Sequence, residues 1–309
     1  MLPILLKTLP FFALIAVGWW AARARFFSAE ATAYLTRFVF YFALSAMLFG
    51  FAANLSLTEV FSWPFVWAYL LASGTVYLVV MTVALARGTG AAEAVVEAQC
   101  GLIGNVGFLG IPMLSLLLGP QAVGPVLLVL AIDLIVFSSL ITLVITGLRE
   151  GRMSFGVIRI LALGLAKNPM IVSIFLGLIW GATGWAVPVP VNEFLTLLGA
   201  AATPCALFAI GASLAGRSAE RLNVAVWLSF AKLVLHPAAV GFASLVIFKV
   251  DSYAAGVMIA AAALPVAGNV FILAQHYGVA PQRVSTAILI STAASVLTVT
   301  AVIALVEGL

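Results

Sequence analysis

The sequence predicts an all-α polytopic membrane protein. Ten spans fall into two five-helix halves, the second inverted relative to the first, and the fourth and ninth spans are broken in their middles. Three observations lead there. Apolar residues make up 65% of 309 and charged residues only 8%, with a mean hydropathy of +1.26. A soluble domain carries about 25% charge, so this chain has too little polarity to cover a water-facing surface. Ten apolar runs are each long enough to cross about 30 Å of hydrocarbon. Two of them, around GNVGFLGIP (Gly104–Pro112) and LPVAGNVFILA (Leu264–Ala274), carry glycine, asparagine and proline in their interiors.

The runs lie near residues 3–20, 36–53, 64–86, 97–118, 122–146, 168–186, 191–216, 224–249, 252–275 and 284–305. The first lacks a basic leading segment and a small-residue cleavage site, so it reads as a retained span and not a signal peptide. The sixth is shortened by Asn168-Pro169, and the piece before it, Phe155–Lys167, suits the membrane interface. Orientation follows from positive charge. Arg23, Arg25, Arg37, Arg87, Arg149, Arg152, Arg159, Lys167, Arg217, Arg221 and Arg283 follow odd-numbered spans, and only Lys7 and Lys249 lie on the other side. Such a bias puts the eleven in the cytoplasm and both termini outside it. It also accounts for the net charge of +4 without nucleic acid. With 149–159 as the central cytoplasmic connector, the repeats are residues 1–150 and 151–309. Aligning Asn105 with Asn269 gives an offset of 164, and aligning ALSAMLF (Ala43–Phe49) with ATPCALF (Ala202–Phe208) gives 159. Duplication predicts near-equal offsets, although Ala- and Leu-rich helices also resemble one another by chance.

A proline inside a span frees backbone carbonyls, which in hydrocarbon must find other partners. Paired breaks in corresponding halves are the best sequence-level pointer to a transporter's substrate site. Asn105 and Asn269 therefore have two readings. They satisfy backbone groups released by the breaks, or they bind a ligand, because each offers two donors and an acceptor beside half-helix N-termini that favour anions. Gly104, Gly107, Gly110 and Gly268 suit close backbone approach, to another helix or to a ligand. Pro112 and Pro265 each disfavour helical geometry in the residue before them, Ile111 and Leu264. Together they mark a discontinuous crossover or two kinks.

Asp133 is read as the sole acidic residue well inside a span, where it must be paired, water-facing or protonated. Coupling to a cation and a structural hydrogen bond both fit it. Lys232 either snorkels to the cytoplasmic side or neutralises the site by balancing an anion or Asp133. His236, four residues on, shares its helix face and suits a helix-to-helix hydrogen bond better than a proton relay. Cys100 and Cys205 lack metal-ligand spacing. No Ser-His-Asp set, metal cluster, paired carboxylates or Walker sequence occurs, so no catalytic residue, metal site or ATP-driven step is expected.

GNVGFLGIP, ALFAIGASLA (Ala206–Ala215), KLVLHP (Lys232–Pro237) and LPVAGNVFILAQHYG (Leu264–Gly278) occur in an order that resembles the auxin efflux carrier family of bacterial permeases, the malonate-transporter-like group, over nearly the whole chain. The resemblance implies a fold like that of bile acid/sodium symporters, with two inverted five-helix repeats and crossing, discontinuous helices four and nine. It implies a secondary transporter of small organic anions, mono- or dicarboxylates, working by alternating access in the bacterial cytoplasmic (inner) membrane. On the family pattern Asn105 and Asn269 line the crossover and contact substrate. Ser45 departs from the pattern, which has proline there, whereas its counterpart Pro204 is kept. A non-transport membrane receptor or structural protein is the alternative. No cofactor is expected; a coupling proton, a coupling sodium ion, uniport and a homodimer are all left open.

Overall fold

The computed structural model describes residues 2–55, 61–150, 155–216 and 221–307, and its secondary structure is helical apart from one isolated β-bridge. The helices are α1 (Leu2–Arg23), α2 (Ala29–Ala53), α3 (Trp63–Ala86), α4 (Ala91–Leu102), α5 (Val106–Leu118), α6 (Pro120–Leu148) and α7 (Phe155–Lys167). They continue with α8 (Pro169–Ala182), α9 (Val189–Leu214), α10 (Leu222–Ile247), α11 (Ser252–Ala262), α12 (Gly268–Tyr277) and α13 (Pro281–Val306). Seven of these, α1, α2, α3, α6, α9, α10 and α13, are long and apolar enough to cross a membrane. Helices α5, α8 and α11 are apolar but shorter. The expected repeat boundary at 150/151, Arg152 and Arg217 fall at or outside the limits of the described residues.

The sequence explains the short pieces. Asn168 caps α8, its Oδ1 accepting from the Met170 N–H at 3.0 Å, and Pro169 takes the first helical position. Proline is tolerated there because that N–H has no partner in any case. Runs four and nine are each two helices, α4 with α5 and α11 with α12, separated by Ile103–Asn105 and by residues 263–267.

Helix α1 packs along the Ala202–Leu214 part of α9, and α8 packs along the Leu44–Ala53 part of α2. In lipid such contacts depend on close fit, since the surroundings are as apolar as the side chains. Both seams use glycine. A Cβ on Gly211 would fall on the Ile15 carbonyl and 2.9 Å from the Trp19 nitrogen; one on Gly177 would lie 2.8 Å from the Phe49 oxygen. A second group joins α3 to α4, and α10 to α3, α11 and α13. Large apolar side chains such as Leu78, Phe175 and Leu297 point outward, where lipid would cover them.

Several helices carry π turns, which widen the coil by one residue and are frequent at functional sites. They span Val39–Ala43, Val106–Gly110, Asp133–Phe137, Ala231–Leu235 and Phe242–Ile247. Ser45 donates its hydroxyl to the Phe40 carbonyl at 3.2 Å, a bond that reaches back into the first of these turns. Pro112 corrects an expectation. It does not expel Ile111 from helical geometry, for Ile111 has φ −54° and ψ −56°. Pro112 falls in the first turn of the α-helix that follows a π turn, in which Ile111 N–H bonds to the Val106 carbonyl, and the break lies earlier, at Ile103–Asn105. Pro265, by contrast, sits within its break.

Candidate functional site

The two breaks meet. Asn105 N–H donates to the Pro265 carbonyl at 2.9 Å, and Ala267 N–H donates to the Ile103 carbonyl at 3.0 Å, so Gly104 and Val266 face each other in an antiparallel bridge. This exchange answers the accounting problem that a broken helix poses in hydrocarbon, where each unpaired backbone group costs several kcal/mol. The Val266 N–H finds the Ser291 hydroxyl at 3.1 Å. Asn105, with φ −75° and ψ 54°, is the centre of an inverse γ-turn closed by Val106 N–H on the Gly104 carbonyl at 2.8 Å. Its own carbonyl accepts from Leu109 and Gly110, which starts the π turn of α5.

The backbone of Asn105 is therefore fully engaged, while its side chain does not cap the following turn. Asn269 lies in the first turn of α12, and its Oδ1 is buried without a hydrogen-bond partner among the described residues. Gly268 begins that helix, and a Cβ there would meet open space. Gly107 and Gly110 serve packing, because a Cβ would come 2.8 Å from the Met170 methyl and 2.6 Å from a Leu264 methyl, respectively. The first-turn N–H groups of α5 and α12 begin at this junction, bringing positive ends of two helix dipoles to it.

Lys232 does not snorkel. It is fully buried, and its Nζ donates to the Ala262 carbonyl, at the last residue of α11. A Cβ on Gly104 would lie 3.3 Å from both Nζ and Cε, so the ammonium rests against both breaks. His236 Nδ1 is 3.2 Å from Nζ, and its Nε2 is 2.9 Å from the Ser73 hydroxyl, which ties helix α10 to α3 as a helix-to-helix bond. Asp133 is 2% exposed; one carboxylate oxygen accepts from Tyr69 at 2.8 Å, and the other has no hydrogen-bond partner among the described residues. No ion pair within 4.0 Å joins Asp133 to Lys232 among these residues. The link between them runs through Tyr69, whose ring centroid is 5.8 Å from that of His236.

Sequence reasoning missed Tyr69 and Ser73, although Tyr69, Ser73 and Tyr77 are spaced four apart and form one polar stripe on an otherwise apolar span. It also missed Glu97. Asp133 is not the sole acidic residue buried within these helices: Glu97 is 1% exposed and ion-paired to Arg87 and Arg283, the latter also reaching Glu93 at 3.1 Å. Helix α4 starts at Ala91, earlier than the apolar run beginning at 97, which carries Glu97 well into the structure. Gln99, on the same helix, donates to the Phe137 carbonyl at 2.6 Å and ties α4 to α6.

Residues 3–303 match the family described as "Membrane transport protein". A relative from Rhizobium meliloti (strain 1021), named "Putative malonate transporter", is 33% identical over 97% of this chain and 95% of its own length. Two hydrogen-bonded breaks among apolar helices are thus the centre of a chain that belongs to the membrane transport protein family, the auxin efflux carriers.

Proposed function

We propose that this transporter is a secondary carrier of a small organic anion, a mono- or dicarboxylate of the size of malonate, held where the breaks meet. The observation that carries this reading is the junction itself: two interrupted helices bonded to each other, with a buried ammonium against both. Carrying a carboxylate through low dielectric requires donors already in place, since a bare charge is strongly disfavoured there. Asn105, Asn269 and the first-turn N–H groups of α12 supply donors, and Lys232 supplies the opposite charge.

The arrangement of the remaining helices supports two inverted five-helix repeats with crossing spans four and nine. Span one packs on span seven, and span six on span two; these pairs exchange when the numbering is shifted by five. Spans three with four and eight with nine are related in the same way. Helices α1, α2, α8 and α9 then form one body against which the crossing spans rock, exposing the junction to each side in turn.

Counterflow tests the proposal. Purified protein in liposomes loaded with unlabelled malonate should take up external labelled malonate transiently above the equilibrium level. Internal succinate or acetate should drive the same overshoot to differing degrees, and the neutral malonamide should not. Absence of overshoot with every small mono- and dicarboxylate tried would refute the anion-carrier reading.

A further inference from the structure

Broken transporter helices commonly bind a coupling cation at the carbonyl end of a half-helix, where the dipole is negative and the last carbonyls lack partners in the helix. In this protein the corresponding carbonyl, at the end of α11, is already taken. Ala262 accepts from the ammonium of Lys232, a residue of another helix, at full burial. The opposite break lies close against that ammonium, since a Cβ on Gly104 would stand only 3.3 Å from Nζ. We propose that Lys232 is a tethered replacement for a coupling sodium ion, so that the carrier binds its anion independently of sodium. The proposal rests on the anion-carrier reading above.

Three features fit a placed cation better than a lysine that merely fills space. An ammonium is a donor only, so His236 Nδ1, 3.2 Å away, must accept from it. The Nε2 then carries the ring proton and donates it to Ser73 at 2.9 Å, which holds the imidazole in one tautomer and aims its lone pair at Lys232. The long side chain is thus fixed from two directions, by Ala262 and by His236. The second feature is charge. Asp133 is the buried carboxylate of this polar chain, reached through Tyr69, and one of its oxygens is unpartnered among the described residues. With Lys232 present the chain is neutral before the anion arrives. Without it the chain carries one negative charge beside the freed Ala262 carbonyl, and carboxylate and carbonyl oxygens are the ligands that a small hard cation seeks. The third is local: the Ala261 carbonyl, which accepts from the Leu264 N–H at 3.3 Å, also lies 3.3 Å from where a Gly104 Cβ would stand. The carbonyl end of α11 and the Lys232 ammonium therefore both lie against the first break.

The experiment compares sodium with N-methylglucammonium at equal ionic strength, using full-length purified protein. Labelled malonate is the probe for affinity, and the melting temperature without anion is a second readout. Wild type should show the same affinity and the same melting temperature in both salts. Lys232→Ala, which opens the space, should bind malonate weakly in N-methylglucammonium and regain about tenfold in affinity in sodium, equivalent to about 1.4 kcal/mol. Sodium should also raise the melting temperature of that variant, as any ligand of the folded state does. Should Lys232→Ala fail to fold, Lys232→Gln, which keeps a donor for Ala262, takes its place with a smaller sodium response expected. A sodium response in wild type overturns the proposal, and so does a folded variant that ignores sodium in both readouts. The melting arm needs no anion, so its result stands apart from any failure of malonate to bind.

Discussion

Replacing Glu97 by glutamine should destabilise the folded protein by about 3–5 kcal/mol, the range for removing one partner of a buried ion pair. The reason is what stays behind. Glu97 is 1% exposed and faces Arg87 and Arg283 together. Arg87, with a side chain 32% exposed, can turn to water, whereas Arg283, at 8%, cannot. The variant therefore leaves a guanidinium buried with only Glu93 for company. Glu93→Gln provides the contrast. That carboxylate is 42% exposed and 3.1 Å from Arg283, so its loss should cost under about 1 kcal/mol, as for other solvent-screened pairs. Melting of the purified variants, with size-exclusion profiles to register aggregation, checks both values. Equal effects of the two changes would mean that the burial of Glu97 is not what binds α3, α4 and α13 together.

Asn105→Ala and Asn269→Ala should each weaken anion binding by roughly 10–150-fold, the equivalent of about 1.5–3 kcal/mol for a lost hydrogen bond to a charged partner. The structure separates this effect from misfolding. All three bonds that hold the first break at residue 105 use its backbone, which alanine retains. Asn269 keeps a buried oxygen with no partner among the described residues, an arrangement that itself disfavours the folded state, so alanine there should leave stability unchanged or raise it slightly. Equilibrium binding of labelled malonate, read beside melting temperature, distinguishes the outcomes. Unchanged affinity in both folded variants would assign the amides to the scaffold.

Seven of the ten apolar runs were legible as helices long enough to cross a membrane because a bilayer sets a minimum length and one polarity for whatever spans it. The same rule made Pro265 and the Gly-Asn pairs conspicuous, since interruptions stand out against uniform apolarity. What could not be read was the pairing between distant segments. Nothing local to Ile103 or Ala267 announces that one carbonyl will serve the other's N–H. The direction taken by Lys232 was equally hidden: its position near a cytoplasmic boundary suits snorkelling, and the Ala262 carbonyl, thirty residues away in sequence, turns it inward together with His236. Pro112 misled for a related reason. Its expected effect assumes ordinary α geometry upstream, and the Val106–Gly110 π turn removes that premise. The Tyr69, Ser73 and Tyr77 stripe was open to periodicity alone, but three hydroxyls on one span carry no charge to draw attention to them.

The claim that the anion sits at the paired breaks is tested most directly by substrate protection of a single cysteine at position 268. A Cβ there meets no atom within 4 Å, so Gly268→Cys fits, and alanine at Cys100 and Cys205 removes the other thiols. In a variant that retains counterflow, malonate should slow alkylation of this cysteine by a small maleimide, with half-protection at the concentration that half-saturates counterflow. Alkylation that proceeds at the same rate with and without saturating malonate, in a variant that still transports it, would place the anion elsewhere.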